Sequence, residues 1–337
     1  MTTILYENAM IGSLVADAFA MPVHWYYDTS ALDRDYPDLS GFQAPRNSHP
    51  DSILWRSRYK PRNVLGDILH DQAQYWGQRD VHYHQFLAAG ENTLNFKLAA
   101  ELYQVVVERG SYHADAWLQH YAACMLKIGW HRDTYAEEYH RAFFDRYAQA
   151  KPLNACGIDD VHIGGISQIP SLLAALDRIG CQDLATQLTI VEQHIRGTHR
   201  NEHVVAAGRT LCRVLHTLSQ GKSLRESIET HSEVYFQRGQ FDTWSNFPDR
   251  AVVGRHLSTA CYLPDAFTAS LYLSWRHASD FSAGIRANAL CGGDNCHRGA
   301  VVGALLGAAN HIPHHWVDGM QTLPNAPANV TASLVIG

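Results

Sequence analysis

Three glycines, Gly299, Gly303 and Gly307, recur at every fourth position in CGGDNCHRGAVVGALLGAANH, residues 291–311. In a helix such residues share one face, and that face carries no side chains. A bare face lets a second helix lie directly against the backbone. Close packing accounts for this ridge in full, so it speaks for the fold before it speaks for function: the chain is built on helices in close contact.

The remaining sequence agrees. Apolar residues keep a helical period over Ile4–Ala20, and over Glu91–Arg109, where Leu94, Leu98, Leu102, Val105 and Val106 form a stripe that Gly110 stops. Similar periods run through Asp115–Ile128 and Asp133–Tyr147, the latter with Asp133 placed as an N-cap. Further helices are expected at Ile169–Arg178, Leu184–Ile195, Glu202–Leu218, Leu224–Phe236, Ala266–Arg276, Phe281–Ala289 and Arg298–Asn310. Alternating runs are nearly absent. The pattern predicts an all-α chain, a single domain over residues 1–337. Residues 28–80, rich in Pro, Asp, Ser and Arg, read as a long irregular insertion, and 317–337 as an irregular tail.

A net charge of −6 without a basic stripe gives no electrostatic case for nucleic acid or a membrane surface. The apolar run Val301–Ala309 is far shorter than the roughly 20 residues a bilayer requires. The N-terminus carries Glu7 and Asp17 and no basic leader, which reads as a core helix and not a signal peptide. An odd count of seven cysteines, with no C-x-x-C pair, points to reduced thiols and a cytoplasmic protein. The oligomeric state is left open.

Packing does not explain the segment ahead of the ridge, GGDNCH. Two glycines release the backbone into a turn, and Asp294 then stands at a helix start, where it can cap the helix or hold a cation. Asp294, Cys296 and His297 lie within one turn of each other. The chain is also rich in histidine, with 21. A dense run, LGDILHDQAQYWGQRDVHYHQFLAAGENTLN, contributes Asp67, His70, Asp71, His82 and His84 as acids, bases or hydroxyl ligands. His131, and Asp159, Asp160 and His162 in NACGIDDVHIGG, add to the set; adjacent carboxylates such as Asp159 and Asp160 can split their pKa values into an acid and a base.

These stretches together resemble the ADP-ribosylglycohydrolases. IGSLVADAFAMPVHW is similar to that family's N-terminal motif, with Asp17, Ala18 and Pro22 kept. Gly292-Gly293-Asp294-Asn295-Cys296-His297 and the small-residue helix after it resemble its C-terminal motif. Gly90-Glu91-Asn92-Thr93-Leu94-Asn95 resembles the middle T-D-D-T-x-M segment, and GTHRNEHVVAAGRTLCRVLH a fourth stretch. The resemblance implies a single all-α domain, an orthogonal helical bundle, that binds two Mg²⁺ or Mn²⁺ ions in a cleft. It also implies cleavage of the glycosidic bond of a small-molecule or protein-linked ADP-ribosyl or related ribosyl substrate. Such metals would hold ribose hydroxyls and position a water.

At the ligand positions this chain differs from the family pattern. His24 stands for the glutamate after the first helix, Gly90, Glu91 and Asn92 for T-D-D, and Cys296 and His297 for the last aspartate and threonine. Three readings stay open: two hard ions on substitute ligands; one softer Zn²⁺ or Fe²⁺ on His24, Glu91, Asp294, Cys296 and His297; or no metal, with protein groups alone. Polar residues replace polar residues throughout, so a working cleft is expected. Glu91, Asp294, Asp159 and Asp160 are expected to act in catalysis, and Asn92, Thr93, His84, His131, His162 and Asn295 to bind substrate. The alternative is an inactive ligand-binding or structural protein on the same fold.

Overall fold

The structure is a computed structural model, and it describes residues 2–321. It opens with α1 Thr2–Ala20 and α2 Thr29–Asp35, then, after a long stretch of loops and short 3-10 turns, α3 Leu94–Arg109, α4 Ala114–Leu126 and α5 Glu138–Ala148. Next come α6 Ile169–Arg178, α7 Leu184–Thr198, α8 Glu202–Ser219 and α9 Leu224–His231, then the short α10 Gln240–Trp244 and α11 Asp249–Ala251. The last helices are α12 Asp265–Arg276, α13 Phe281–Leu290, α14 Asn295–Ala309 and α15 His314–Asp318. Among the described residues, β pairing is confined to isolated bridges such as His162 with Tyr262. The all-α expectation holds.

The glycine ridge lies where the fold is tightest. A Cβ on Gly303 of α14 would stand against the carbonyl oxygen of Gly12 in α1 and only 2.6 Å from the Cβ of Ala16. With the side chains absent, α1 and α14 pack backbone to backbone at the centre of the molecule. α1 is also apolar and long enough to cross a membrane by composition, but here it is mostly buried among α6, α13 and α14. One continuous apolar core runs from Tyr6 to Trp316.

Two helix expectations need correction. The helix expected from Asp133 begins at Glu138. Asp133 is not its N-cap; its carboxylate turns inward and accepts from His84 Nδ1 (2.8 Å) and from the Leu94 amide at the start of α3 (3.2 Å). The helix expected over Leu224–Phe236 stops at His231. Residues 28–80 are largely irregular, yet tied down: Asp28 caps α2, Asp51 accepts from the Tyr27 and Asp28 amides, and Tyr59 Oη accepts from the Ile68 amide. The expected tail at 317–337 begins with the end of α15, and residues 322–337 lie outside the described residues.

Candidate active site

The turn before α14 aims the site. Gly292 and Gly293 have φ of +65° and +63°, left-handed values that other residues adopt only under strain. This bend lets the Gly293 amide donate to Tyr26 O (2.6 Å), the Trp25 amide donate to Gly293 O (2.8 Å), and the Asp294 amide donate to Thr259 O (2.9 Å). Arg298, fully buried, braces the turn by donating to Asn288 Oδ1 (2.8 Å) and to the Gly292 carbonyl (2.8 Å). Three distant segments thereby hold Asp294 at the N-cap of α14, 1% exposed.

From Asp294 a buried hydrogen-bonded chain runs in both directions. On one side His24 Nε2 donates to Asp294 Oδ1 (2.9 Å), His24 Nδ1 meets His84 Nε2 (2.7 Å), and His84 Nδ1 donates to Asp133 Oδ1 (2.8 Å). Carboxylates only accept, so the outer nitrogens both carry protons, and the bond between the rings needs a third. Burial drives the His24 pKa down to about 3 in spite of Asp294. Burial works against ionising Asp133, but the hydrogen bond from His84 and the nearby Lys97 and imidazoles together outweigh this and hold it below the usual carboxylate range.

On the other side His297 Nδ1 donates to Asp294 Oδ1 (2.7 Å), while its Nε2 lies 3.4 Å from Glu137 Oε1 and 2.9 Å from Asn95 Nδ2. Asn95 Oδ1 in turn accepts from Tyr139 Oη and meets His140 Nε2 (2.9 Å). Burial resists charging His297, but the Asp294 and Glu137 carboxylates outweigh it and lift its pKa to about 9. The same partnership holds Asp294 well below an ordinary aspartate against its own burial. Glu137 goes the other way: burial raises it, and the His297 charge only partly offsets that. One imidazole therefore separates two buried carboxyls shifted in opposite directions.

Each of these carboxyls keeps one buried oxygen, Asp294 Oδ2 and Glu137 Oε2, without a hydrogen-bond partner. His162 Nδ1 accepts the Gly164 amide (2.8 Å), so its proton sits on Nε2, 3.8 Å from Asp294 Oδ2. Glu137 and His162 reach a cavity of roughly 330 Å³, with Asp294 buried behind them, at the small end of ligand pockets. Trp25, Tyr27, Tyr83, Tyr135 and Tyr262 wall it; Glu137, Glu138, Asp160 and His162 line it, with Arg56 as its cation.

Among the sequence-derived residues, His24, His84, His162, Asp294 and His297 come together here, and His131 Nδ1 lies 3.8 Å from Asp133. Asp160 lines the cavity with its pKa raised by burial, and accepts the His162 amide (3.0 Å). Asp159 does not join it; exposed, it accepts from Asn201 (2.7 Å). Glu91 is engaged elsewhere by Lys97 (2.7 Å), Arg132 (2.5 Å) and the Ala88 amide (2.9 Å). Asn92 and Thr93 bind Asp17, tying α3 to α1, and Asn295 donates to the Val23 and Ala289 carbonyls (3.0 Å each). Cys296 Sγ faces the Asp17 carbonyl, 3.8 Å away. Tyr139 and His140, visible in the sequence as part of H-R-D-T-Y-A-E-E-Y-H-R, do reach the site, while Glu137, Asn95 and Cys261 escaped the sequence reading.

The donor set does not suit two hard cations. Mg²⁺ and Mn²⁺ want several carboxylate oxygens; of the carboxylates in the three motifs, Asp17 is consumed by three hydrogen bonds and Glu91 by two cations, which leaves Asp294. His24, Asp294 and His297 do hold ligand atoms within 4.8 Å of one another, as do His162, Cys261 and Asp294. That spacing suits one softer ion, which would have to displace both N–H···O bonds to Asp294 Oδ1.

The protein is an all-helical body with acids and imidazoles buried beneath an aromatic cleft. The chain belongs to the ADP-ribosylglycohydrolase family, whose model matches residues 5–334. A solved structure described as an ADP-ribosylglycohydrolase-related protein complex is similar in fold, with a TM-score of 0.55 at 18% identity over 95% of this chain and 93% of that chain. No curated protein matches the chain. Family members commonly depend on divalent metal, and groups at ligand spacing are present here.

Proposed function

We propose that the protein hydrolyses an N- or O-glycosidic bond of an ADP-ribosyl or related ribosyl substrate, using Glu137 and Asp294 where its relatives use metal ions. One observation carries this reading: two carboxyls with unpaired oxygens and opposite pKa shifts flank one imidazole, Glu137 lining the cleft and Asp294 buried behind His162, as a general acid and a general base require. Glu137, protonated, gives its proton to the leaving group as the glycosidic bond breaks. Asp294, ionised, takes a proton from the attacking water and stabilises the cationic sugar. His297 faces both carboxyls and holds them in place; after each turnover Asp294 loses its gained proton to solvent and Glu137 takes one from solvent, which resets the pair. The net reaction adds one water across the bond.

The aromatic walls suit the faces of a sugar or base, and Arg56 suits a phosphate at the rim. The test is turnover of a panel of ADP-ribosyl conjugates and simpler ribosides by protein treated with chelator. Glu137→Gln and Asp294→Asn should each lower kcat about 10²–10⁴-fold. Undiminished turnover in both variants would remove these roles. The loss of hard metal ligands favours a second reading, a non-catalytic ligand binder. Ligand-induced stabilisation without turnover, with or without added Mg²⁺, Mn²⁺ or Zn²⁺, would select it.

A further inference from the structure

On the far side of α3 from its N-terminal contacts with the cleft, a second cluster of donors stands outside the proposed chemistry. His120 and Cys124 are one turn apart on α4, so their side chains share a face. Glu101 of α3 meets them: His120 Nε2 lies 2.7 Å from Glu101 Oε2, and Cys124 Sγ is within 4.8 Å of both. Glu101 is further fixed by a hydrogen bond from the Trp130 side chain, and the His120 bond holds its pKa below the usual range. Glu101 and His120 are about one-third exposed, at 37% and 34%, while Cys124 is 7% exposed and reaches in from the apolar side.

From this geometry we propose that Glu101, His120 and Cys124 form a site for one Zn²⁺ ion, with a water as fourth ligand. The donor types are those of zinc, thiolate, imidazole and carboxylate, and an i, i+4 pair plus one residue from a neighbouring helix is a chelating arrangement. To accept zinc-length bonds the 2.7 Å contact opens by about 0.5 Å, a side-chain movement only. Binding releases one proton: the Cys124 S–H bond breaks and an S–Zn bond forms, while the His120 proton moves from Nε2 to Nδ1. Without metal the thiol stays protonated, its pKa pushed up to about 12 by burial and by the Glu101 charge. Zinc uptake therefore weakens as pH falls. An ordinary surface ion pair explains Glu101 with His120, but it gives the thiol no part.

The experiment is Co²⁺ and Zn²⁺ titration of the purified full chain, wild type against Cys124→Ser, His120→Ala and Glu101→Gln, with circular dichroism to check folding. The wild type should show a thiolate-to-cobalt charge-transfer band and one zinc equivalent that Cys124→Ser and His120→Ala lose and Glu101→Gln binds at least 10-fold more weakly. His24→Asn, in the cleft, should keep both band and equivalent, which separates this site from the cluster around Asp294. Absence of the band in folded wild type, or its persistence in Cys124→Ser, would overturn the assignment. If Cys124→Ser misfolds, the exposed Glu101→Gln decides alone. None of these readouts depends on glycosidase activity.

Discussion

His297 shows how burial and charge divide a proton. Its pKa stands at about 9 in the fold against an ordinary 6.5, because Asp294 and Glu137 outweigh desolvation. A raised pKa means the folded state holds the proton more tightly, so the stabilisation is whole below pH 6.5 and lost as pH rises through about 9. Asp294 is linked oppositely: its pKa is depressed, so its contribution is present above an ordinary 3.8 and lost as pH falls. The wild-type melting temperature should therefore decline between about pH 6.5 and 9. His297→Gln should be less stable at pH 6.5 and flatter across that window, as thermal denaturation at stepped pH would show. A parallel slope in the variant would place the proton elsewhere.

The contact of α1 with α14 rests on missing atoms. A methyl group on Gly303 has no space between the Gly12 carbonyl and the Ala16 side chain. Gly303→Ala should cost about 1–3 kcal/mol, the usual penalty for overpacking. Urea denaturation would show it as a lower midpoint with an unchanged slope. The same helix carries Asp294 at its N-cap, so separating the helices also shifts the cleft. Lower kcat in Gly303→Ala, measured where the variant is fully folded, is expected from that linkage. The helical period and the four-residue glycine spacing make this element legible in the amino-acid order alone. The start of α5 is not, because Asp133 has the chemistry of an N-cap but forms stronger bonds inward with His84 and Leu94.

Across the molecule, the cleft gathers buried imidazoles and carboxyls from distant segments. The rings of His24, His84 and His297 face the carboxyl groups of Asp133, Asp294 and Glu137. Chelator treatment should leave riboside turnover unchanged within about twofold while removing zinc from the Glu101 cluster. A collapse of activity that Mg²⁺ restores would contradict the cleft chemistry. The motif spacing was enough to pick out His24, Asp294 and His297, because the turn and helix that aim them are local. Glu91 and Cys296 occupy equivalent motif positions, yet their side chains bond to Lys97 and Arg132 and face the Asp17 carbonyl. Residue order could not reveal that, nor the union of Glu137, Asn95 and Tyr139 with a site assembled from both ends of the chain. Helical period and glycine spacing arise from neighbours along the backbone, so the amino-acid order already carried them. Hydrogen-bond partners and protonation are settled when distant segments expel water from one another, because a buried polar group is costly until it finds its match.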